Sequence, residues 1–276
     1  MEYDPTQYRG SAAHYLAGRP PYSPELATVL AGELGLDGTG QLLDVGCGPG
    51  VLAVQLAVLV DRVIALDPDA EMLERARAHA TASGVEHIEF VHARAEDIPN
   101  LGLPPARLVT FGQSFHRTNR TAVADAVYDL LEPGGAMILV VHDIDASPAP
   151  AGTGDPPIPD REIQHLITRY LGEQRRSGSG MASRYGTERL EDTLARTRFG
   201  RPKTIHAPGQ RNITRDIDGV ISGYLSMSYA APHLFGDDLD RFITDLRRHL
   251  ETHTTTGRFW DWPGDTAVLI AQKRTH

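Results

Sequence analysis

The chain has 276 residues, with 27 Lys+Arg against 36 Asp+Glu and a formal net charge of -9. Its 41% hydrophobic and 23% charged residues suit a large buried core and exclude wholesale disorder, and the acidic balance argues against generic phosphate-backbone binding. No apolar run approaches the roughly 20 residues of a membrane helix, Met1 to Pro5 carries no secretory pattern, and the single cysteine, Cys47, leaves no intrachain disulfide or thiolate metal cluster. The expectation is a cytoplasmic protein with no membrane partner and no metal.

A helix is expected from near Ser23. From Gln41 to His142, Val-, Ile- and Leu-rich runs alternate with segments of helical length, the pattern of βαβ units around a parallel sheet. The predicted strands are Gln41 to Val45, Arg62 to Leu66, His87 to His92, Arg107 to Gly112 and Ala136 to His142. Between them, Gly50 to Val60, Ala70 to Ser83 and Arg120 to Glu132 read as helices, closed by Ser83-Gly84 and Pro133-Gly134-Gly135. A Pro- and Gly-rich stretch, Asp145 to Asp160, reads as a mobile loop, and Ser177-Gly178-Ser179-Gly180 as a second flexible patch. Helices are expected over Ile163 to Glu173, Thr187 to Arg196, Arg215 to Tyr229 and Asp237 to Thr252, with strands at Lys203 to Ala207 and Thr266 to Gln272.

One motif carries chemistry. Leu42-Leu43-Asp44-Val45-Gly46-Cys47-Gly48-Pro49-Gly50 runs from the first strand into a helix. Its glycines permit positive φ and close ligand approach, and a helix start offers N–H groups to a polar or anionic ligand. The spacing is GxGxG rather than GxGxxG, and no Gly-Lys-Ser/Thr follows, so neither a nicotinamide site nor a P-loop is the better fit. Asp67, at the end of the second strand, can accept hydrogen bonds from two ribose hydroxyls. Taken alone, an acid before Pro68 more often caps a helix.

The order LLDVGCGPG, Val63 to Leu73 (VIALDPDAEML), Ala95-Glu96-Asp97-Ile98-Pro99 and Leu130 to Gly135 (LLEPGG) resembles the class I S-adenosylmethionine (SAM)-dependent methyltransferases, within them the group of trans-aconitate and ubiquinone/menaquinone-biosynthesis enzymes. The resemblance covers residues 41 to 142. It implies an α/β, Rossmann-like class I methyltransferase fold: a seven-stranded, mainly parallel sheet with helices on both faces, its last strand antiparallel, and an inserted helical cap. Residues 1–276 would form a single domain. Residues 1–35 would be an amino-terminal arm and helix over the cleft, 36–142 the SAM-binding core, 143–265 would include the cap and acceptor segments, and 266–276 the last strand.

For the cofactor, the resemblance implies contacts from Tyr15, Arg19, Asp44, Gly46, Cys47, Gly48, Asp67, Pro68, Met72, Ala95, Glu96 and Gln113. Asp44 with the backbone of Gly46 and Gly48 would hold the methionine moiety, Asp67 the ribose, Met72 and the Ala95–Glu96 segment the adenine, and Arg19 the carboxylate. Arg94 stands where the family often has an acid. His116, at the end of the fourth strand, is the candidate catalytic base or positioning group. Relatives often carry His-Trp where this chain has His116-Arg117. Acceptor contacts are expected from Tyr22, His116, His142, Tyr224 and Tyr229, while Trp260 and Trp262 read as core-closing aromatics.

The resemblance implies methyl transfer from SAM, releasing S-adenosylhomocysteine (SAH), to the O, N or C of a small-molecule acceptor, with no nucleic acid partner. The arginine-rich, lysine-poor composition suits a GC-rich bacterial genome, with specialised metabolism as the expected setting. The alternatives are a SAM-binding or cyclase-like protein without methyl transfer, and an RNA methyltransferase.

Overall fold

Leu42, Leu43 and Val45 of the first strand, β1 (Gln41–Val45), are all buried, so one short apolar run serves two cores. That is how a strand behaves inside a parallel sheet covered on both faces. The computed structural model describes residues 4, 6–143, 154–173, 176–177, 180–181 and 189–275. Pro148, Pro150 and Gly152 of the expected mobile loop, Gly178 and Ser179 of the second patch, and the first residues of the expected Thr187 helix lie outside these residues.

β1 pairs in parallel with β2 (Arg62–Asp67) and β4 (Ala106–Gly112), β2 with β3 (Ile88–His92), and β4 with β5 (Leu131–Asp143). After the two-residue strands β6 (Arg176–Ser177) and β7 (Gly180–Met181) come β8 (Lys203–Ala207), β9 (Ile213–Asp216), β10 (Arg258–Asp261) and β11 (Asp265–Gln272). β11 lies antiparallel between β5 and β8, giving a seven-stranded sheet ordered β3-β2-β1-β4-β5-β11-β8.

The amino-terminal helix α1 (Ala12–Gly18) precedes α2 (Leu26–Leu34), α3 (Val51–Leu56) and α4 (Ala70–Ala82). Leu26, Leu30, Leu52, Leu56 and Leu73 from the last three pack on one face of the sheet against Leu42, Val63, Ile138 and Val268. On the other face Val123 and Val127 of α5 (Arg120–Leu130) and Leu194 of α7 (Leu190–Ala195) meet Leu43, Val109, Leu139 and Leu269. A third cluster is separate. It joins α6 (Asp160–Leu171), α8 (Ile217–Leu225) and α9 (Leu239–Glu251) through Ile163, Ile167, Val220, Phe242, Leu246 and Phe259.

The element order follows the expectation, and the departures have local causes. The helix expected over Gly50 to Val60 ends at Leu56 and tightens into a 3-10 turn, Ala57–Leu59. β5 begins at Leu131 rather than Ala136, because Gly134 N–H donates to the Lys273 carbonyl at 3.1 Å and Lys273 N–H to the Gly135 carbonyl at 2.8 Å. The helix expected from Arg215 starts at Ile217, since Ile213–Asp216 pairs instead with Arg258–Asp261. That ladder joins short segments remote in sequence and leaves no local signature. Across it Arg215 Nε meets the Asp261 carboxylate at 2.8 Å, both side chains largely buried.

The amino-terminal arm is docked on α8. Ser11 Oγ donates to the Leu225 carbonyl at 2.9 Å, Arg19 Nη2 to the Ser226 carbonyl at 3.1 Å, and an Arg215 guanidinium nitrogen to the Gly18 carbonyl. A Cβ built on Gly18 would fall on the Ser222–Gly223 backbone, so the two helices approach as closely as they do because this residue is glycine. Gly18→Ala is therefore expected to push α1 off α8 and cost about 1–3 kcal/mol in urea unfolding, with faster proteolysis of the arm. An unchanged midpoint would mean that the close crossing is not needed.

Candidate functional site

The cleft opens at the carboxyl ends of β1, β2 and β4, where ligands bind in open α/β sheets. Two buried carboxylates flank it. Asp44, fully buried, accepts the Thr110 hydroxyl at 2.8 Å through Oδ1, while its Oδ2 has no hydrogen-bond partner among the described residues. Burial raises its pKa to about 7; the Thr110 bond and, more weakly, the nearby Ala53 N–H hold it lower, and the charge of Asp67 pushes it up again. Asp67 accepts Gly48 N–H at 2.8 Å and Asp69 N–H at 2.9 Å, one on each oxygen. Burial likewise raises its pKa, to about 6, against those two bonds.

These contacts also decide what Asp67 is not. The cap of α4 is Asp69, whose carboxylate accepts the N–H groups of Glu71 and Met72, so Asp67 is released from that duty. A carboxylate offers about four acceptor directions, and two of those on Asp67 are used.

Within the glycine loop itself, ahead of the helix start at Val51, the N–H groups are engaged. Gly46 and Cys47 both donate to the Leu66 carbonyl, at 2.7 and 3.0 Å, Gly48 donates to Asp67, and Gly50 to the Cys47 carbonyl at 3.0 Å. Its donors are spent on holding the turn against β2. Gly46 has φ +67°, and a Cβ there would come within 2.7 Å of Ser114 Cβ. The loop's chemistry toward a ligand thus lies in Asp44 and Asp67, which accept, rather than in an N–H cradle that would grip phosphate.

Two adjoining compartments share Tyr8, Tyr15, Gly46, Gly112, Gln113 and Arg117. The first, of about 150 Å³, adds Asp67, Pro68, Met72, Ala95 and Glu96. The second, of about 560 Å³, adds Arg19, Tyr22, Asp44, Cys47, His116, His142 and Tyr229. The cleft therefore gathers all twelve residues expected at the cofactor and four of the five expected at the acceptor. Buried side-chain atoms lacking a partner among the described residues concentrate here, on Gln7, Arg19, Asp44, Arg117 and His142. Native proteins leave few such atoms, so a cluster of them marks a place built for something else to complete.

Tyr224 is the exception. Its ring is buried in the α6–α8–α9 cluster and its hydroxyl donates to Asp160 Oδ1 at 2.5 Å, so it contributes to neither compartment. Helical spacing turned it to the inner side of α8, while Tyr229, beyond the helix end, reaches the cleft with its hydroxyl accepting from Gln164 Nε2 at 3.0 Å. Trp260 and Trp262 are only partly buried and also lie off the cleft; Trp260 Nε1 donates to the Arg211 carbonyl at 3.1 Å.

Both histidines are held neutral. His116 has its pKa lowered to about 3 by burial and by Arg117 and Arg120, and His142 to about 4 chiefly by burial. His142 stacks on Tyr22 with ring centroids 4.9 Å apart and planes 19° apart. Glu96 is partly engaged: it accepts Asn119 N–H at 3.0 Å and pairs with Arg94 at 3.2 Å, the residue standing where an acid was expected. Sequence reasoning missed Gln7, Tyr8 and, as lining groups, Met227, Ser228 and Arg117. It also missed that Gln113, at the junction, has φ +58°, a conformation non-glycine residues rarely adopt.

Comparison with known proteins agrees with this geometry. Residues 42–135 match the family model described as a methyltransferase domain. The chain is 28% identical over 176 residues, 60% of its length and 74% of the relative's, to the 2-heptyl-1-hydroxyquinolin-4(1H)-one methyltransferase of Mycobacteroides abscessus. It is 36% identical over 98 residues to the ubiquinone biosynthesis O-methyltransferase of Dinoroseobacter shibae, and 30% identical over 105 residues to the tRNA 5-carboxymethoxyuridine methyltransferase of Escherichia coli K12. Those two matches take in 36% and 37% of this chain, and only 39% and 40% of the relatives. Among solved structures, one assigned as a type II methyltransferase from Anaeromyxobacter dehalogenans superimposes with a TM-score of 0.52 at 21% identity, covering 94% of this chain and 99% of that one. One assigned as a methyltransferase from Bacillus halodurans C-125 gives 0.51 at 20%, covering 90% and 99%. These two show the shared fold. The ordered motifs, the sheet order and the methyltransferase domain matched over residues 42–135 together support a class I SAM-dependent methyltransferase.

Proposed function

We propose that the cleft binds SAM across its two compartments and that the enzyme transfers the SAM methyl group to a small-molecule acceptor, releasing SAH. The observation that carries this is the pair of buried carboxylates with acceptor capacity to spare, on a loop whose own N–H groups are already spent. Such a site suits a ligand that presents donors, as an ammonium and ribose hydroxyls do. Asp44 Oδ2 is the group for the ammonium, Asp67 for the ribose and Arg19 for the carboxylate. Met72, Ala95 and Glu96 line the first compartment as an adenine wall. The side chains present fit the group that the family implies.

When bound, SAM supplies a methyl on a cationic sulfur that is open to in-line displacement. The protein's part is to bind, orient and exclude water. Docking of α1 on α8 covers the second compartment with Tyr15 and Arg19, and Tyr22 and His142 form a flat wall there. His116 is a poor proton acceptor in its buried, cationic surroundings, so its role is to position the acceptor through a neutral imidazole. This favours positioning over general base catalysis.

The quinolone and ubiquinone enzymes among the relatives support a small-molecule acceptor. The net charge of -9 weighs against the RNA reading that the tRNA enzyme suggests. Release of SAH on incubation with an acceptor panel separates a transferase from a protein that only binds SAM.

Calorimetric titration with SAM and SAH tests the cofactor directly. Asp67→Asn, which keeps the shape and removes the charge, is expected to weaken both ligands by roughly 10- to 100-fold; unchanged affinity would remove Asp67 from the site. Asp44→Asn is expected to separate stability from binding. The folded pKa of Asp44 lies above its unfolded value, so its stabilising contribution is full below about pH 4 and lost as pH rises through about 7. Without ligand, Asp44→Asn should therefore be more stable than wild type at pH 8, by on the order of 3 kcal/mol, the difference vanishing near pH 4, while SAM binding weakens. Urea unfolding at several pH values reads the first effect and calorimetry the second.

A further inference from the structure

Arg117 forms no ion pair with an acid among the described residues, although it shares the lining of the first compartment with Asp4, Asp67, Asp69 and Glu96. It ends the short 3-10 turn Phe115–Arg117 that follows the left-handed Gln113. The turn is held by Ser114 Oγ donating to the Val45 carbonyl at 2.6 Å and by Arg117 N–H donating to the Ser114 carbonyl at 2.9 Å. The guanidinium lies 4.9 Å from the centroid of the Tyr8 ring, at the junction of the two compartments, and its Nη1 is buried with no hydrogen-bond partner among the described residues. Other arginines are paired: Arg107 with Asp37, Arg198 with Asp129, Arg215 with Asp261 and Arg247 with Asp218.

The charge around the second compartment points the same way. Its lining carries Arg19 and Arg117 against a single acid, Asp44. If Asp44 and Arg19 serve the ammonium and carboxylate of the cofactor, the cationic sulfonium and Arg117 remain, and the neutral histidines add nothing to offset them. The second compartment is then locally positive, in a chain whose net charge is -9, whereas the first, which Arg117 also lines, carries Asp4, Asp67, Asp69 and Glu96 against Arg94. Part of the remaining wall is flat or apolar, from the Tyr22–His142 stack with Leu16 and Met227, beside the polar His79, Gln113, Ser228 and Tyr229. A planar guanidinium with a free edge matches a carboxylate or another anionic oxygen group.

We propose that the acceptor is an anionic small molecule, an oxygen-centred negative group on an aromatic or apolar body, and that Arg117 is the residue that selects it. This rests on the cofactor reading above. The sequence marks Arg117 only as a departure from the His-Trp of relatives, and the position gains its meaning where the turn carries it to the junction.

The test uses the full chain saturated with SAH and two matched probes, 2-naphthoate and 2-naphthamide, titrated calorimetrically into wild type, Arg117→Leu and Arg117→Lys. The expected result is a preference of about tenfold or more for the carboxylate in wild type, abolished in Arg117→Leu and partly kept in Arg117→Lys. SAH affinity in the variants should stay within about threefold, which also reports on folding. A preference that survives in Arg117→Leu, equal binding of the two probes to wild type, or no binding of either, overturns the proposal. Loss of SAH binding in Arg117→Leu overturns it too, by assigning the arginine to the cofactor or the fold. Failure of wild type to bind SAH instead overturns the cofactor reading beneath it.

Discussion

The hydrogen bond from Gly48 N–H to the Asp67 carboxylate ties the end of β1 to the end of β2 at the mouth of the cleft. With Gly46 and Cys47 both donating to the Leu66 carbonyl, it turns a flexible glycine loop into a fixed wall. Fixing the loop this way consumes its donors, so the polar character left facing the cleft is that of two carboxylates. Both are buried next to each other, and both are held above the normal carboxylate range by that burial. On the cofactor reading proposed above, an ammonium and ribose hydroxyls would complete these two acids, a trade of stability for binding common at functional sites.

A second layer rests on that wall. Ser114 abuts Gly46 and bonds to the Val45 carbonyl, so the position of the 115–117 turn follows from the loop. The turn then sets His116 and Arg117 at the boundary of the two compartments. The opposite side comes from far along the chain, where α8 holds α1 through Ser11, Arg19 and Gly18. Arg215 is central to this. It is clamped by Asp261 on the β9–β10 ladder and reaches the Gly18 carbonyl, linking that ladder to the amino-terminal arm that lines the second compartment.

Much of the core was legible because parallel strands buried on both faces read as apolar runs, and Gly84 and the cap residues mark where helices stop. The two acids of the cleft were legible too, since each sits at the end of such a run. Tyr224 shows where that reading ends. A tyrosine on a helix near a cleft can face it or face away, and only the packing of α8 against α6, with Asp160 taking the hydroxyl, decides between them. The β9–β10 ladder was hidden because strand pairing across some forty residues leaves no local periodicity.

The βαβ order, the glycine loop and the identities of Asp44 and Asp67 follow from local conformation and strand periodicity, so the chain can be read for them directly. That the loop's N–H groups are satisfied internally, that Asp69 rather than Asp67 caps α4, and that Arg117 Nη1 is buried without a hydrogen-bond partner among the described residues emerges from packing alone. Hydrogen-bond partners and burial depend on chain segments remote from one another, and the free energy of a charge depends on both.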